Sequence, residues 1–290
     1  FFGEYTKEEY LSLEEDKFQK IVCAYLAEYA VKYFGEEQLE SNSFTYRLKT
    51  ILDNVMYLMK HIMEELSQSE FFVADCELKI GEDIPSYTIV LPDGHKIAVC
   101  GSVDRVDIMQ RADITYLRII DYKTGTKQFK LSDILYGINL QMLLYLHSIE
   151  ASGGDKYGEI VPAGILYMPA TVPYISSDSL KSIDKLPDEL NKKLKMNGLL
   201  LKDTEIIHGM DKTDVATYIP VKIKAGEPVS STSLATLAEF GKIFKKVDML
   251  IAEMGKNIYN GNIEAKPLKG GHDSCEYCPY DSVCAYRQSN

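Results

Sequence analysis

Two β-branched, apolar segments with embedded charges, Lys96 to Ile108 and Ile114 to Lys123, constrain the fold more than any other stretch of this chain. The turn formers Pro92-Asp93-Gly94 precede the first segment, and a polar break at Gln110 to Asp113 separates the two. The pattern predicts two neighbouring antiparallel strands, the first entered by a hairpin. Side chains alternate across a strand, so Asp121 and Lys123 share one face and Tyr122 points to the other. With Asp104 on the neighbouring strand, two acids and a lysine converge on one patch of sheet.

Such a trio is costly to bring together unless a cation and water satisfy it. Mg²⁺ meets that need, since it takes hard oxygen ligands at roughly 2.1 Å, keeps several waters, and requires only one or two carboxylates plus a substrate phosphate. A bound metal lowers the pKa of its water and neutralises phosphoryl oxygens, while Lys123 orients the attacking water or offsets transition-state charge. The chemistry this suggests is phosphodiester hydrolysis. Upstream, Phe71 to Ile80 alternates as a strand and offers Glu77 as a further acid, facing opposite to Cys76. Downstream, Asp133 to Ser148 has the apolar spacing of a helix, with Gln141 and Tyr145 at i and i+4 on one face, placed to touch a phosphate or base. Each piece alone has an ordinary reading as a solvated strand end or helix surface; their joint order carries the inference.

That order, Gly-Ser-Val-Asp-Arg-Val-Asp from Gly101, Asp-Tyr-Lys-Thr-Gly from Asp121 and Gln-Met-Leu-Leu-Tyr from Gln141, resembles the RecB-type branch of the PD-(D/E)XK nucleases, and within it the nuclease domains of AddAB-type helicase-nucleases. The resemblance implies a restriction-endonuclease-like α/β fold, a central mixed sheet flanked by helices. It also implies metal held by Asp104 and Asp121, water assisted by Lys123, Gln141 and Tyr145 completing the site, and Arg105 and Asp107 bracing it. Glu77 matches less securely, because its strand register is open. The family's early helix carries a histidine for which none of the five histidines here stands as a counterpart. The implied activity is Mg²⁺- or Mn²⁺-dependent hydrolysis of single-stranded DNA ends, with the A subunit of a helicase-nuclease as partner, in double-strand-break resection and recombinational repair.

Near the end of the chain, Cys275, Cys278 and Cys284 follow Cys-x2-Cys-x5-Cys spacing, and three close thiols require a fourth ligand. Tetrahedral thiolate sites accept zinc or iron-sulfur, and spacing does not separate them. The resemblance implies a 4Fe-4S cluster whose fourth cysteine lies toward the N-terminal side; the opening Phe1-Phe2-Gly3-Glu4 reads as a cut inside a longer polypeptide that would omit it. Cys23, Cys76 and Cys100 sit in apolar surroundings expected of buried, inert cysteines.

The remaining sequence sets bounds. With 290 residues, 46% of them hydrophobic, the chain can bury a sizeable core, and it has no apolar run long enough for a membrane span. Six cysteines are too few for a disulfide scaffold, and a clustered triplet suits metal ligation in a reducing, cytoplasmic setting. A net charge of −11 gives no global basic footprint for DNA. Lys123, Lys127 and Lys130, with Lys266, Lys269 and His272, could line a local groove, and the acidic remainder fits a subunit whose strand is delivered by a helicase partner. One domain is expected over 1–290, comprising a helical part over 1–70 broken near Gly35 and Ser41, a catalytic core over 71–150, strands and a long helix over 151–262, and a cysteine tail over 263–290. Within the third part, Ala163 to Tyr167 and Ile206-Ile207 read as strands, Leu186 to Met196 as a short helix, and Ser231-Thr232-Ser233 as the cap of a helix reaching Tyr259. The alternatives from another class are a catalytically inactive nuclease-like module that clamps DNA or a helicase partner and uses the thiolate cluster for rigidity, and a zinc-stabilised interaction domain.

Overall fold

A computed structural model of the chain describes residues 1–36, 41–125, 129–173, 175, 184, 186–230, 232–264, 267, 275, 278–280 and 282–284. Among the described residues its opening part holds the helices α1 (Lys7–Leu11), α2 (Glu15–Phe34) and α3 (Asn42–Ser67). Thr6 starts α1 by a reciprocal cap with Glu9, which satisfies two backbone donors that the first turn leaves free. The strands β1 (Phe72–Ile80), β4 (Gly101–Arg111), β5 (Ile114–Lys123), β6 (Glu159–Pro169), β7 (Asn197–Leu201) and β10 (Leu234–Ala235) form a six-stranded sheet in the order β1-β4-β5-β6-β7-β10, and β8 (Lys222–Lys224) pairs with β9 (Glu227–Val229) in a separate antiparallel hairpin. Pairing is antiparallel for β1/β4, β4/β5 and β6/β7, and parallel for β5/β6 and β7/β10. The parallel step from β5 to β6 requires a crossover, supplied by α4 (Gln141–Ser152) and the short α5 (Gly154–Tyr157). The mixed sheet flanked by helices agrees with the expected fold class.

Several boundaries differ from the sequence-based expectation, each for a local reason. The segment from Lys96 divides at Cys100: β3 (Lys96–Val99) pairs with β2 (Tyr87–Val90) in a separate hairpin, and only from Gly101 does the chain join the main sheet. The helix expected from Asp133 is a 3-10 turn (Leu131–Tyr136) followed by α4. Gly137 and Asn139 break it with φ of 71° and 57°, and Asn139 Nδ2 donates to Asp133 Oδ2 at 2.7 Å. Ile206-Ile207 lies in helix α7 (Thr204–Met210), because the Asp203 carboxylate accepts from the Glu205 and Ile206 amides and nucleates the turn. The short helix α6 spans Leu186–Leu194. The long helix α8 runs Leu237–Tyr259, capped by Thr236 with Glu239 rather than by the serines before it, since Leu234 and Ala235 are drawn into strand pairing with β7.

The central strands β4 and β5 are covered on both faces, so Val106, Leu117, Ile119 and Ile120 have no exposed surface. Full burial of each such side chain is worth roughly 1.5–3 kcal/mol. Four charged residues share that interior: Arg105, Asp107, Arg118 and Glu65 are all fully buried. Arg105 donates from Nε and Nη2 to the two oxygens of Asp107, at 2.8 and 2.7 Å, and from Nη2 to Glu65 Oε2 at 3.1 Å. Arg118 donates to Glu65 Oε1 at 2.6 Å and from Nε to Asp107 Oδ2 at 3.0 Å, with its guanidinium 4.9 Å from the centre of the Phe71 ring. Two cations and two anions balance, and both carboxylates are used on both oxygens. The network ties α3, through Glu65, to β4 and β5.

Removing one member leaves an uncompensated buried charge, at a cost of about 3–5 kcal/mol. Glu65→Leu is expected to lower the unfolding free energy measured by urea denaturation by that order, and adding Arg118→Met, which restores charge balance, to recover part of it. A double variant no more stable than the sum of the two single losses would show that charge balance is not what the network supplies.

Candidate functional site

The register of the sheet places the predicted acids in one lateral row. Cys76 pairs with Arg105 and Leu78 with Val103, which sets Glu77 beside Asp104. Arg105 pairs with Ile120, so one step further Asp104 stands beside Asp121. Asp121 in turn pairs with Tyr167 on β6, and Tyr167 with Asn197 on β7. Exposure falls along the first three members: Glu77 is open to solvent, Asp104 half-buried and Asp121 buried.

Each side chain in the row is held by a different device. Asp104 Oδ2 accepts from the Tyr122 backbone N–H at 2.9 Å, a bond that crosses from β5 to β4. Tyr122 projects to the opposite face, as alternation predicts, where Arg105 Nη1 donates to its hydroxyl at 3.2 Å. Arg105 and Asp107 therefore act from beneath, through Tyr122, rather than within the row. Asp121 Oδ2 forms an ion pair with Lys123 Nζ, which also stands 5.8 Å from the centre of the Tyr167 ring. Ser102 Oγ donates to Glu77 Oε2 at 2.9 Å. Glu77 itself has a φ of 55°, in the left-handed region that L-residues rarely occupy, so its facing is set by a kink and not by simple alternation.

Burial pushes the Asp104 carboxyl above its ordinary pKa; the Tyr122 amide opposes this, the neighbouring Asp121 and Glu77 charges add to it, and Lys123 offsets part. Burial, aided by the Asp121 charge, pushes the Tyr167 phenol up to about 12, so it keeps its proton at neutral pH. Three carboxylates against one ammonium leave an excess of two negative charges.

Gln141 and Tyr145 are one helical turn apart on α4, with Gln141 Nε2 donating to the Tyr145 hydroxyl at 3.5 Å. The Tyr145 ring lies against Gly101, where any Cβ would collide with it, so this pair sits at the entry to the strand carrying Ser102 and Asp104. Among the described residues neither side chain hydrogen-bonds to Asp104 or Asp121. The same helix is pinned to α8 by His147, between Glu150 (3.2 Å) and Asp248 (3.3 Å) and stacked on Phe244 at 4.6 Å. Burial works against charge on this imidazole, but the two carboxylates outweigh it and hold its pKa above the ordinary value. His61, on α3, is buried 5.4 Å from the Tyr218 ring centre and one turn from Glu65; burial pushes its pKa down.

The cysteine expectations fare differently. Cys76 and Cys100 are exposed and Cys23 is half-buried, which corrects the reading of them as buried thiols: β1 is a sheet edge and Cys100 lies in the break before β4. Cys275, Cys278 and Cys284 occupy turns in which the Cys278 amide donates to Cys275 O at 3.3 Å and the Cys284 amide to Tyr280 O at 2.9 Å. Among the described residues no three His, Cys, Asp or Glu side chains are gathered closely enough to hold a metal ion by themselves. Lys127, Lys266, Lys269 and His272 lie outside the described residues. Lys130 is described, and exposed.

Sequence pattern does not point to Glu65, Arg118 and Tyr167, and it marks Tyr122 only as the residue facing away from Asp121 and Lys123. Glu65 was marked only by standing beside Leu66 and three residues after Ile62 on the buried stripe of α3, an acid where the helical period expects an apolar side chain.

An acid whose folded pKa lies above its unfolded value costs stability at pH values above both, and the cost fades as pH falls through the folded value. Asp104→Asn keeps an acceptor for the Tyr122 amide and removes the repulsion. The metal-free variant is expected to melt higher than the parent at pH 8, with the gap narrowing toward acid, as read by thermal denaturation. A lower melting temperature at pH 8 would contradict the electrostatic account.

Among the described residues no helix is long and apolar enough to cross a membrane. The chain is 38% identical over 246 residues to the ATP-dependent helicase/deoxyribonuclease B subunit of Thermoanaerobacter sp. (strain X514), covering 83% of this chain and 21% of that protein. It is 33% identical over 303 residues to the protein of the same name from Alkaliphilus metalliredigens, covering 99% and 26%, and 37% identical over 254 residues to that of Clostridium kluyveri, covering 84% and 22%. The chain thus spans about a fifth to a quarter of the length of these curated relatives. A family model described as the PD-(D/E)XK nuclease superfamily matches residues 5–285, from the first helices through the row of acids to the cysteine tail, and the chain belongs to that superfamily.

Proposed function

We propose that the chain is the nuclease part of a helicase-nuclease subunit and hydrolyses phosphodiester bonds of single-stranded DNA ends with Mg²⁺ or Mn²⁺. The observation that carries this reading is the row Glu77-Asp104-Asp121 with Lys123 paired to its most buried member. Its two uncompensated negative charges equal the charge of one divalent cation. Magnesium binds through one or two carboxylates and otherwise keeps waters and substrate phosphate, so the two buried-side acids of the row would suffice for it. Asp104 and Asp121 would hold it, with Glu77 at the exposed end of the row. A bound ion supplies a water of lowered pKa and neutralises developing charge on the phosphoryl oxygens.

The side chains divide the remaining work. Tyr122 fixes the Asp104 carboxylate through its amide, so a ligand oxygen is oriented before substrate arrives. Lys123 Nζ, held between Asp121 and the Tyr167 ring, donates to the attacking water or to a non-bridging phosphate oxygen. Burial of Asp121 excludes bulk water from one side, which strengthens these interactions. The partner in this reading is the helicase-nuclease A subunit, which delivers the strand, and the setting is cytoplasmic.

Cleavage of end-labelled single-stranded DNA, by this chain and by the full-length subunit with its partner, tests the proposal. Asp121→Ala and Lys123→Ala should each reduce the rate by about 100-fold or more with circular dichroism unchanged. Retained cleavage in both variants would sink the assignment of the site. Absence of cleavage even in the complete complex would favour the inactive clamp.

We also propose that Cys275, Cys278 and Cys284 supply three of the four thiolate ligands of a 4Fe-4S cluster in the full-length subunit, a reading that their close spacing permits and the resemblance to RecB-type nucleases favours over zinc. Anaerobically purified protein should show a broad visible absorbance band with iron and sulfide by analysis. Colourless protein carrying zinc would overturn this.

A further inference from the structure

The row of acids does not end at the site. Beyond Asp121 it continues through Tyr167 to Asn197, and Asn197 lines a cavity of about 650 Å³ at the ends of β5 and β6. Its walls include Thr124 and Gly125, which directly follow Lys123, together with Phe129, Lys192, Lys193 and Lys195. Connection to the site is physical. Asn197 Oδ1 accepts from the Phe129 amide at 2.7 Å, and the Phe129 ring lies 6.4 Å from that of Tyr167, the residue that also faces Lys123.

The composition of this wall runs against the chain. In a protein with 43 acidic residues and a net charge of −11, the described residues around this cavity include three lysines and no carboxylate. Lys195 anchors the wall, its Nζ donating to the carbonyls of Ala216 (2.6 Å) and Val221 (3.0 Å). Lys192, toward the end of α6, pairs with Glu189 on its own helix, at 2.6 Å in an exposed contact of little worth. Thr171, Thr232 and Ser233 add hydroxyls, and Phe129 with Pro169 and Pro173 gives apolar surface. Cations for phosphates, hydroxyls for phosphate oxygens and a ring for bases are the parts of a single-strand groove.

We propose that this cavity is a binding subsite for single-stranded DNA, in which Lys192 and Lys193 neutralise phosphates of the strand next to the scissile bond. The inference rests on the nuclease reading and deepens it by assigning where the substrate backbone lies. It accounts for how an acidic chain holds a polyanion: affinity is concentrated in one basic cleft next to the site.

The test is fluorescence anisotropy of a labelled oligothymidylate between 50 and 200 mM KCl, with the full-length subunit and its Lys192→Ala/Lys193→Ala variant, both carrying Asp121→Asn to prevent turnover. Each lost single-strand phosphate contact reduces the log-log salt slope by about 0.7, so the double variant should bind about 10-fold more weakly with a slope shallower by about 1.4. Lys20→Ala/Lys246→Ala, on α2 and α8, serves as the charge-matched control and should leave both unchanged. With Asp121 intact, the Lys192/Lys193 variant should raise KM for DNA more than it lowers kcat. Unaltered slope and KM in a wild type that cleaves DNA would overturn the subsite and leave the nuclease reading standing. A wild type that neither binds nor cleaves DNA would overturn both.

Discussion

The buried network of Glu65, Arg105, Asp107 and Arg118 is the interaction on which the arrangement of this domain depends. Apolar residues of similar volume would pack the same space at little or no loss of stability, because desolvating four ions consumes most of what their attraction returns. What the network does provide is direction. Planar guanidinium groups accept few geometries, so Arg105 sets the Tyr122 phenol, and with it the strand segment whose amide grips Asp104. A helix far from the acids in sequence thereby reaches the ligand-bearing end of β4. The same contacts fix how α3 lies on the sheet, since Glu65 bonds to both arginines at once.

The two faces of β4 and β5 thus carry opposite solutions to the same problem of charge in a sheet. Below, two cations and two anions cancel and water is excluded. Above, the acids are left in excess, and the row runs from the exposed Glu77 to the buried Asp121. The gradient matters for the proposed chemistry: Glu77 would meet a hydrated ion at the open end of the row, and Asp104 and Asp121 would hold it where water is scarcer. On the far side of Tyr167 the sign of charge changes again, to the lysines of the cleft, so the proposed cation site is flanked by the proposed phosphate-binding cleft.

The acids and the lysine were legible because a period-2 pattern places Asp121 and Lys123 together, and because the break at Gln110 to Asp113 marks the partner strand. The five-strand row was not, since register between strands distant in the chain depends on the bulge between Val73 and Asp75 and on the kink at Glu77, which no periodicity announces. Ile206-Ile207 misled because a short apolar pair fits either period; the Asp203 cap decided it. The apolar spacing of a helix from Asp133 runs on through Gly137 and Asn139, both of which take left-handed backbone and so interrupt it. Glu65 paired with its arginines only in three dimensions. The apolar neighbours of Cys76 and Cys100 in the sequence do not reveal that one stands on an edge strand and the other in the break before β4.

The kink at Glu77 has a bearing on how the molecule behaves among copies of itself. β1 is the outer strand of the six-stranded sheet, and an outer strand offers unpaired amides and carbonyls to any passing chain. A left-handed residue in its middle turns consecutive peptide groups out of the plane in which a further strand would have to lie, and Asp75, Glu77 and Lys79 add charge along the same edge. At the opposite edge β10 is only two residues long. The backbone distortion that aims an acid at the site therefore also blunts the edge where intermolecular sheet growth would begin.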